Sequence, residues 1–246
     1  MPFCELRYFS RSLEMQTACN VILPDPETWP PPYPVMYLLH GLSDDHTIWC
    51  RRTSIERYVE SLPLMVVMPN GGRGFYCDAR EGFAYGSSIV KDLVGLIARL
   101  FPTRAERAGR CIGGLSMGGY GAMRLALGHP DLFCSVVSHS GALYFGHLDL
   151  PEEDPRRPEF ARITSPGGPD DLFALAERLT PAEWPAIRVD CGVDDFLIEH
   201  NRTFHAHLTR LGVPHEYEEF PGAHTWDYWD LHVQEAIGFH RRALGI

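Results

Sequence analysis

Short unbroken apolar runs and longer runs with a helical repeat take turns along most of this chain. "VMYLL" at 35–39 and "LMVVM" at 64–68 are continuous and rich in Val, Leu and Met, which suits strands buried on both faces of a parallel sheet. Between them, "TSIERYVESL" sets Ile55, Tyr58, Val59 and Leu62 at helical spacing. Over 88–101, Ile89, Leu93, Leu96, Ile97, Leu100 and Phe101 follow an i, i+3/i+4 pattern that predicts an amphipathic helix, limited by Pro102. "RCIGG" reads as a strand leading into the helix "YGAMRLAL". "CSVVSHS" and "AIRVDCG" read as further buried strands, and "HEYEEF" as a more exposed one. "LIEHNRTFHAHLTRLG" and "WDYWDLHVQEAIGFHRRAL" supply the last two helices. Upstream, residues 3–9 and 15–23 read as a hairpin, and the four prolines within 30–34 then hold the chain extended. The alternation from residue 35 onward predicts an α/β fold with a mostly parallel central sheet and helices on both faces.

Residues 141–185 break that rhythm. "YFGHLDLPEEDPRRPEFARITSPGGPDD" is dense in prolines and charges, and only "LFALAERL" carries a short helical pattern. A segment this polar is too small to build a core of its own. The expected organisation is one domain over 1–246, with 141–185 as a lid-like insertion that forms a binding loop.

Composition removes several classes of function. With 22 Lys and Arg against 32 Asp and Glu, the net charge is −10, which argues against nucleic acid or an anionic membrane as partner. Lys91 is the only lysine, so Schiff-base chemistry has a single candidate. The seven cysteines are scattered without a C-x-x-C pair, which predicts free thiols in a reducing compartment and no structural zinc. The start "MPFCELRYFSR" lacks the apolar core of a signal peptide, and no apolar run is long enough for a membrane span. The expectation is a cytoplasmic protein, with homo-oligomerisation left open.

The chemistry concentrates at "GRCIGGLSMGGYGAM". Gly114-Leu115-Ser116-Met117-Gly118 matches G-x-S-x-G between a predicted strand and a predicted helix, the context of a nucleophile elbow. A glycine loop that cradles phosphate would carry G-x-x-x-x-G-K-[ST], and no lysine is near. A serine nucleophile needs a base and an acid, which in this setting follow in the order serine, acid, histidine. Of twelve histidines, His224 in "FPGAHTW" lies on a loop between the last strand and the last helix. His200, His205, His207, His232 and His240 fall on helical patterns, and His139 on a buried strand as a core group. For the acid, Asp190 lies within a strand, while Asp194 and Asp195 lie just beyond its end; position alone does not separate the last two. Oxyanion donors are expected from the Met117 N–H and from the loop "HGLS", with Leu42 as donor.

"YLLHGLSDDHTIW", "GGLSMGGYGAMRLALGHPDLF", "CGVDDFL" and "FPGAHTWDYWD" together resemble the esterase D-like branch of the α/β-hydrolases. That branch includes tributyrin esterases, feruloyl esterases, S-formylglutathione hydrolases and mycolyltransferases. The likeness runs nearly the full length and is nearest to small intracellular carboxylesterases of the tributyrin-esterase type. It implies an α/β-hydrolase fold, with Ser116 as nucleophile, Asp195 as acid, His224 as base and no metal or organic cofactor. S-Formylglutathione hydrolases usually carry an "SGLTC"-like segment where this chain has "HGLSDD", a departure from that activity.

The reaction so expected is hydrolysis of short-chain or aryl carboxylic esters, small-molecule substrates, through an acyl-serine. Trp49, Tyr144 and Trp226 are the expected substrate-binding residues, with Phe75, Tyr76 and Trp184 as further wall candidates. Two rivals are a thioesterase or acyltransferase on the same machinery, and a non-catalytic interaction protein on the same fold.

Overall fold

The computed structural model describes residues 1–246. In chain order its strands are β1 (Phe3–Ser10), β2 (Met15–Ile22), β3 (Val35–Leu39), β4 (Met65–Pro69), β5 (Arg110–Leu115), β6 (Ser135–His139), β7 (Ala186–Gly192) and β8 (His215–Phe220). The helices are α1 (Ile48–Arg52), α2 (Ile55–Val59), α3 (Tyr85–Ser87), α4 (Val94–Leu100), α5 (Met117–Gly128), α6 (Arg157–Ile163), α7 (Leu172–Arg178), α8 (Ile198–Arg210) and α9 (Trp226–Leu244).

The apolar runs become strands because both of their faces are buried. Val35, Tyr37, Leu39, Met65 and Val67 enter one hydrophobic cluster of 36 residues, shared with α4, α5 and α8. The alternate residues Met36, Leu38, Val66 and Met68 enter a second cluster of 17, shared with α1, α2 and α9. This period of two fixes each strand's register. The strands form one eight-stranded sheet in the order β1-β2-β4-β3-β5-β6-β7-β8. The β1–β2 and β2–β4 pairs are antiparallel and all others parallel, as the α/β-hydrolase resemblance implies.

Two local readings change. The amphipathic run at 88–101 is not one α-helix: Ser88–Leu93 is a π-helical turn between α3 and α4. The insertion holds a helix that the sequence pattern hid, α6, in which only Ile163 is buried. It is a helix with almost no apolar stripe.

The face under α9 carries a buried polar group that makes stability depend on pH. His240 is fully buried, and its Nδ1 pairs with the Ser135 hydroxyl at 2.8 Å. Burial first, and then the neighbouring His139, push its pKa down from 6.5 to about 3. Below about pH 6.5 the unfolded chain therefore binds a proton that the folded chain refuses. Stability is lost as the pH falls through that window, by about 1.4 kcal/mol per unit for one group. His240→Gln is expected to make the decline in melting temperature between pH 6.5 and 4.5 shallower; an unchanged slope in thermal melts would assign that decline to other groups.

Candidate active site

The loops at the carboxyl ends of β3, β5, β7 and β8 converge, which is where open α/β sheets place their sites. Ser116 sits between β5 and α5 with φ 54° and ψ −116°. A side chain rarely adopts such a backbone, at a cost on the order of 1–3 kcal/mol. The turn is held by the Ser116 N–H donating to the His139 carbonyl at 2.9 Å, and by the Ser116 carbonyl accepting from Ala142 at 3.1 Å. The flanking glycines have a direct explanation. A Cβ on Gly114 would stand 2.6 Å from the Gly118 carbonyl carbon and 2.8 Å from the Leu39 oxygen. A Cβ on Gly118 would stand 2.5 Å from the same Leu39 oxygen and 2.6 Å from that of His40. These contacts are with backbone and cannot rotate away, so the start of α5 meets the end of β3 only without side chains.

The Ser116 hydroxyl lies 3.0 Å from His224 Nε2. His224 Nδ1 lies 3.0 and 2.8 Å from the two oxygens of Asp195. With Nδ1–H donating to the carboxylate, Nε2 is left as acceptor for the serine proton. Asp195 is buried at 2 % exposure. Its burial alone would raise the carboxyl's pKa, but hydrogen bonds from His224, from the Leu197 N–H and from Ser140 hold it below the ordinary value. Asp194, which position alone left level with Asp195, is exposed, and its N–H donates to the Gly222 carbonyl. Asp190 is buried in β7, where it accepts from His139 Nδ1 at 2.9 Å and from the Tyr228 hydroxyl at 3.1 Å. His139 Nε2 has no partner, so this core histidine is only half satisfied.

Leu42 and Met117 both border the cavity above Ser116. Met117 is the first residue of α5, where an N–H has no partner within the helix. The Leu42 N–H likewise takes no backbone acceptor. His40, not singled out in the sequence, braces this loop: its Nδ1–H donates to the Gly41 carbonyl at 2.7 Å, and its Nε2 accepts from the Gly71 N–H at 2.8 Å. Burial pushes its pKa down, which favours the neutral ring those two bonds require. Its only sequence signal is the dipeptide His-Gly after a buried strand.

The cavity measures about 480 Å³. Most of its wall comes from the 141–185 insertion, including Tyr144, Phe145, Leu148, Arg156, Arg157 and Phe160, with Phe75, Phe196 and His200 completing it. Tyr144 is thus on the wall, stacked on His200 at 4.3 Å. Trp49 and Trp226 are not. Trp49 is buried at 1 % exposure, donates Nε1–H to the Leu39 carbonyl at 3.1 Å, and meets Trp226 edge to face at 5.4 Å. Trp49 belongs to the second core cluster behind the site, where its flat donor ring satisfies a carbonyl and fills the space under α9, and the half-buried Trp226 packs against that cluster. Tyr76 is likewise core, and Trp184 packs against the first cluster. No group of three or more His, Cys, Asp or Glu side chains is arranged to hold a metal ion, and no helix is long and apolar enough to cross a membrane.

The model of the esterase family described as "Putative esterase" matches residues 10–240. The chain belongs to this esterase family. It is 29 % identical over 262 aligned residues to an acetyl esterase of Caldicellulosiruptor saccharolyticus, covering 96 % of this chain and 97 % of that protein. Among solved structures, the Staphylococcus aureus fluorophosphonate-binding serine hydrolase F is 30 % identical with a TM-score of 0.86, over 97 % of this chain and 98 % of that one. An S. aureus S-formylglutathione hydrolase is 31 % identical with a TM-score of 0.83, over the same shares. The chain is a serine esterase on an α/β-hydrolase fold.

Proposed function

We propose that this esterase hydrolyses short-chain or aryl carboxylic esters with Ser116 as nucleophile, His224 as base and Asp195 as the acid that orients it. The observation that carries the assignment is the unbroken chain of contacts from the Ser116 hydroxyl through His224 to Asp195. As Ser116 Oγ attacks the ester carbonyl, its proton passes to His224 Nε2, and Asp195 stabilises the imidazolium. The developing oxyanion is met by the Leu42 and Met117 N–H groups. The tetrahedral adduct collapses when His224 returns the proton to the leaving alcohol. Water, activated by the same histidine, then releases the acid. A fluorophosphonate probe should label the enzyme at Ser116 and nowhere else; labelling of another residue would sink the assignment. A panel of esters and thioesters scored by kcat/KM separates the esterase from the thioesterase reading.

The chain acts as a single domain in which 141–185 serves as a lid and sets acyl choice. The segment is anchored to α5 at Asp170, whose carbonyl accepts from the Tyr120 hydroxyl at 2.7 Å and whose carboxylate pairs with Arg124 at 2.8 Å. Its middle carries surface ion pairs such as Arg156–Asp154 and Arg73–Glu159, which solvent screens and which add little to its stability. Backbone amides at 148–158 should exchange faster than those of β3 or β7, and a bulky covalent inhibitor at Ser116 should slow them selectively. Uniform protection without response to inhibitor would make the segment a fixed brace.

A further inference from the structure

Phe196 is 71 % exposed, more than any other large apolar side chain of the protein. Single exposed rings are ordinary on protein surfaces, but this one is placed against the reaction machinery. Its ring lies 4.5 Å from the His224 imidazole, tilted by 49°, and it borders the cavity above Ser116. Another flank of the same imidazole is taken by Trp229, 4.8 Å away and 5 % exposed. The backbone around Phe196 is pinned, since the Leu197 N–H donates to Asp195 Oδ1 at 2.8 Å and the Ile198 N–H to the Asp195 carbonyl at 3.0 Å. The ring is thus held out beside the base by a fixed turn.

The chemistry says which part of a substrate must meet it. The ester's carbonyl oxygen faces the Leu42 and Met117 amides, while the leaving oxygen must take its proton from His224 Nε2. The carbon substituent on that oxygen therefore passes along the imidazole and its exposed flank. A flat apolar group there removes both its own face and that of Phe196 from water.

We propose that Phe196 selects the alcohol half of the substrate, favouring esters of flat apolar alcohols of the phenyl, benzyl and naphthyl class over esters of small alcohols. The proposal rests on the assignment of Ser116 and His224 as nucleophile and base. By microscopic reversibility the same ring receives an acceptor alcohol. The alcohol oxygen forms a bond to the acyl carbon of acyl-Ser116 as its proton moves to His224 Nε2. The bond from that carbon to Ser116 Oγ then breaks, and the proton is handed to Oγ. A new ester leaves in competition with hydrolysis.

The test compares the parent with Phe196→Ala and Phe196→Leu. Two quantities are measured: the ratio of kcat/KM for benzyl acetate to that for methyl acetate, and the ratio of benzyl butyrate to butyric acid formed from p-nitrophenyl butyrate in added benzyl alcohol. Phe196→Ala should lower the first ratio about tenfold and Phe196→Leu by less, with the second ratio falling in parallel. The second ratio is set after the acyl-enzyme has formed, so a ring that merely steadied His224 would not move it. Equal losses on both acetates with an unchanged product ratio would overturn the proposal. Mass spectrometry of the acyl-enzyme keeps the two readings apart. Acyl on Ser116 with selectivity indifferent to Phe196 refutes this inference alone, whereas acyl on another residue refutes the nucleophile assignment and this inference with it.

Discussion

Ser116→Ala is expected to lower kcat for short-chain p-nitrophenyl esters by about 10³–10⁶, with the melting temperature little changed. The hydroxyl is the only atom removed, and the strained turn that presents it is held by backbone hydrogen bonds that alanine keeps. His224→Ala should be about as damaging, because its Nε2, 3.0 Å from the hydroxyl, is the atom proposed to take the serine proton. The double variant is the sharper measurement. If the two residues act as one unit, it is no worse than either single variant; a clearly multiplicative loss would mean that they serve separate steps.

Asp195→Asn is expected to cost about 10³–10⁴ in kcat, with a modest loss of stability because the folded state favours the charged carboxylate. Asparagine keeps a side-chain oxygen that can still accept from the Leu197 N–H, the bond that shapes the turn. It loses the charge proposed to stabilise the imidazolium and can present an N–H where His224 Nδ1 needs an acceptor. Asp194→Asn, one residue away and exposed, should leave kcat/KM within about twofold, as surface substitutions away from a site usually do. Steady-state kinetics with thermal melts on both variants decide the matter, and an inactive Asp194→Asn would transfer the role of acid to its neighbour.

Much of this arrangement was legible in the chain, for reasons that particular residues make clear. "AIRVDCG" and "HEYEEF" became β7 and β8 with the bounds read from them, because strand runs flanked by turn residues have few alternatives. The Gly114–Gly118 pattern announced its turn because backbone crowding leaves no other residue type there. The wall of the cavity was another matter. Apolar content marks a side chain as buried but does not say whether its far side meets protein or a cavity, so Trp49 and Trp226 read the same as Tyr144. α6 stayed hidden because it is short, carries Pro158 and three charged residues, and buries only Ile163, leaving little of a helical stripe to see. The π-helical turn has no sequence signature at all, since Ser88–Leu93 keeps an apolar spacing compatible with an α-helix.

The placement of α9 has a kinetic consequence. Ser116 and His224 are 108 residues apart in sequence, and the loop that carries His224 runs directly into α9, which closes over β5, β6 and β7. Contacts of such long separation form only after a large loop has closed. With Ser116 and His224 acting as proposed, turnover during refolding should return only once the final helix has docked, and no earlier than the sheet signal read by circular dichroism. Regain of activity is then a clock for the last stage of assembly.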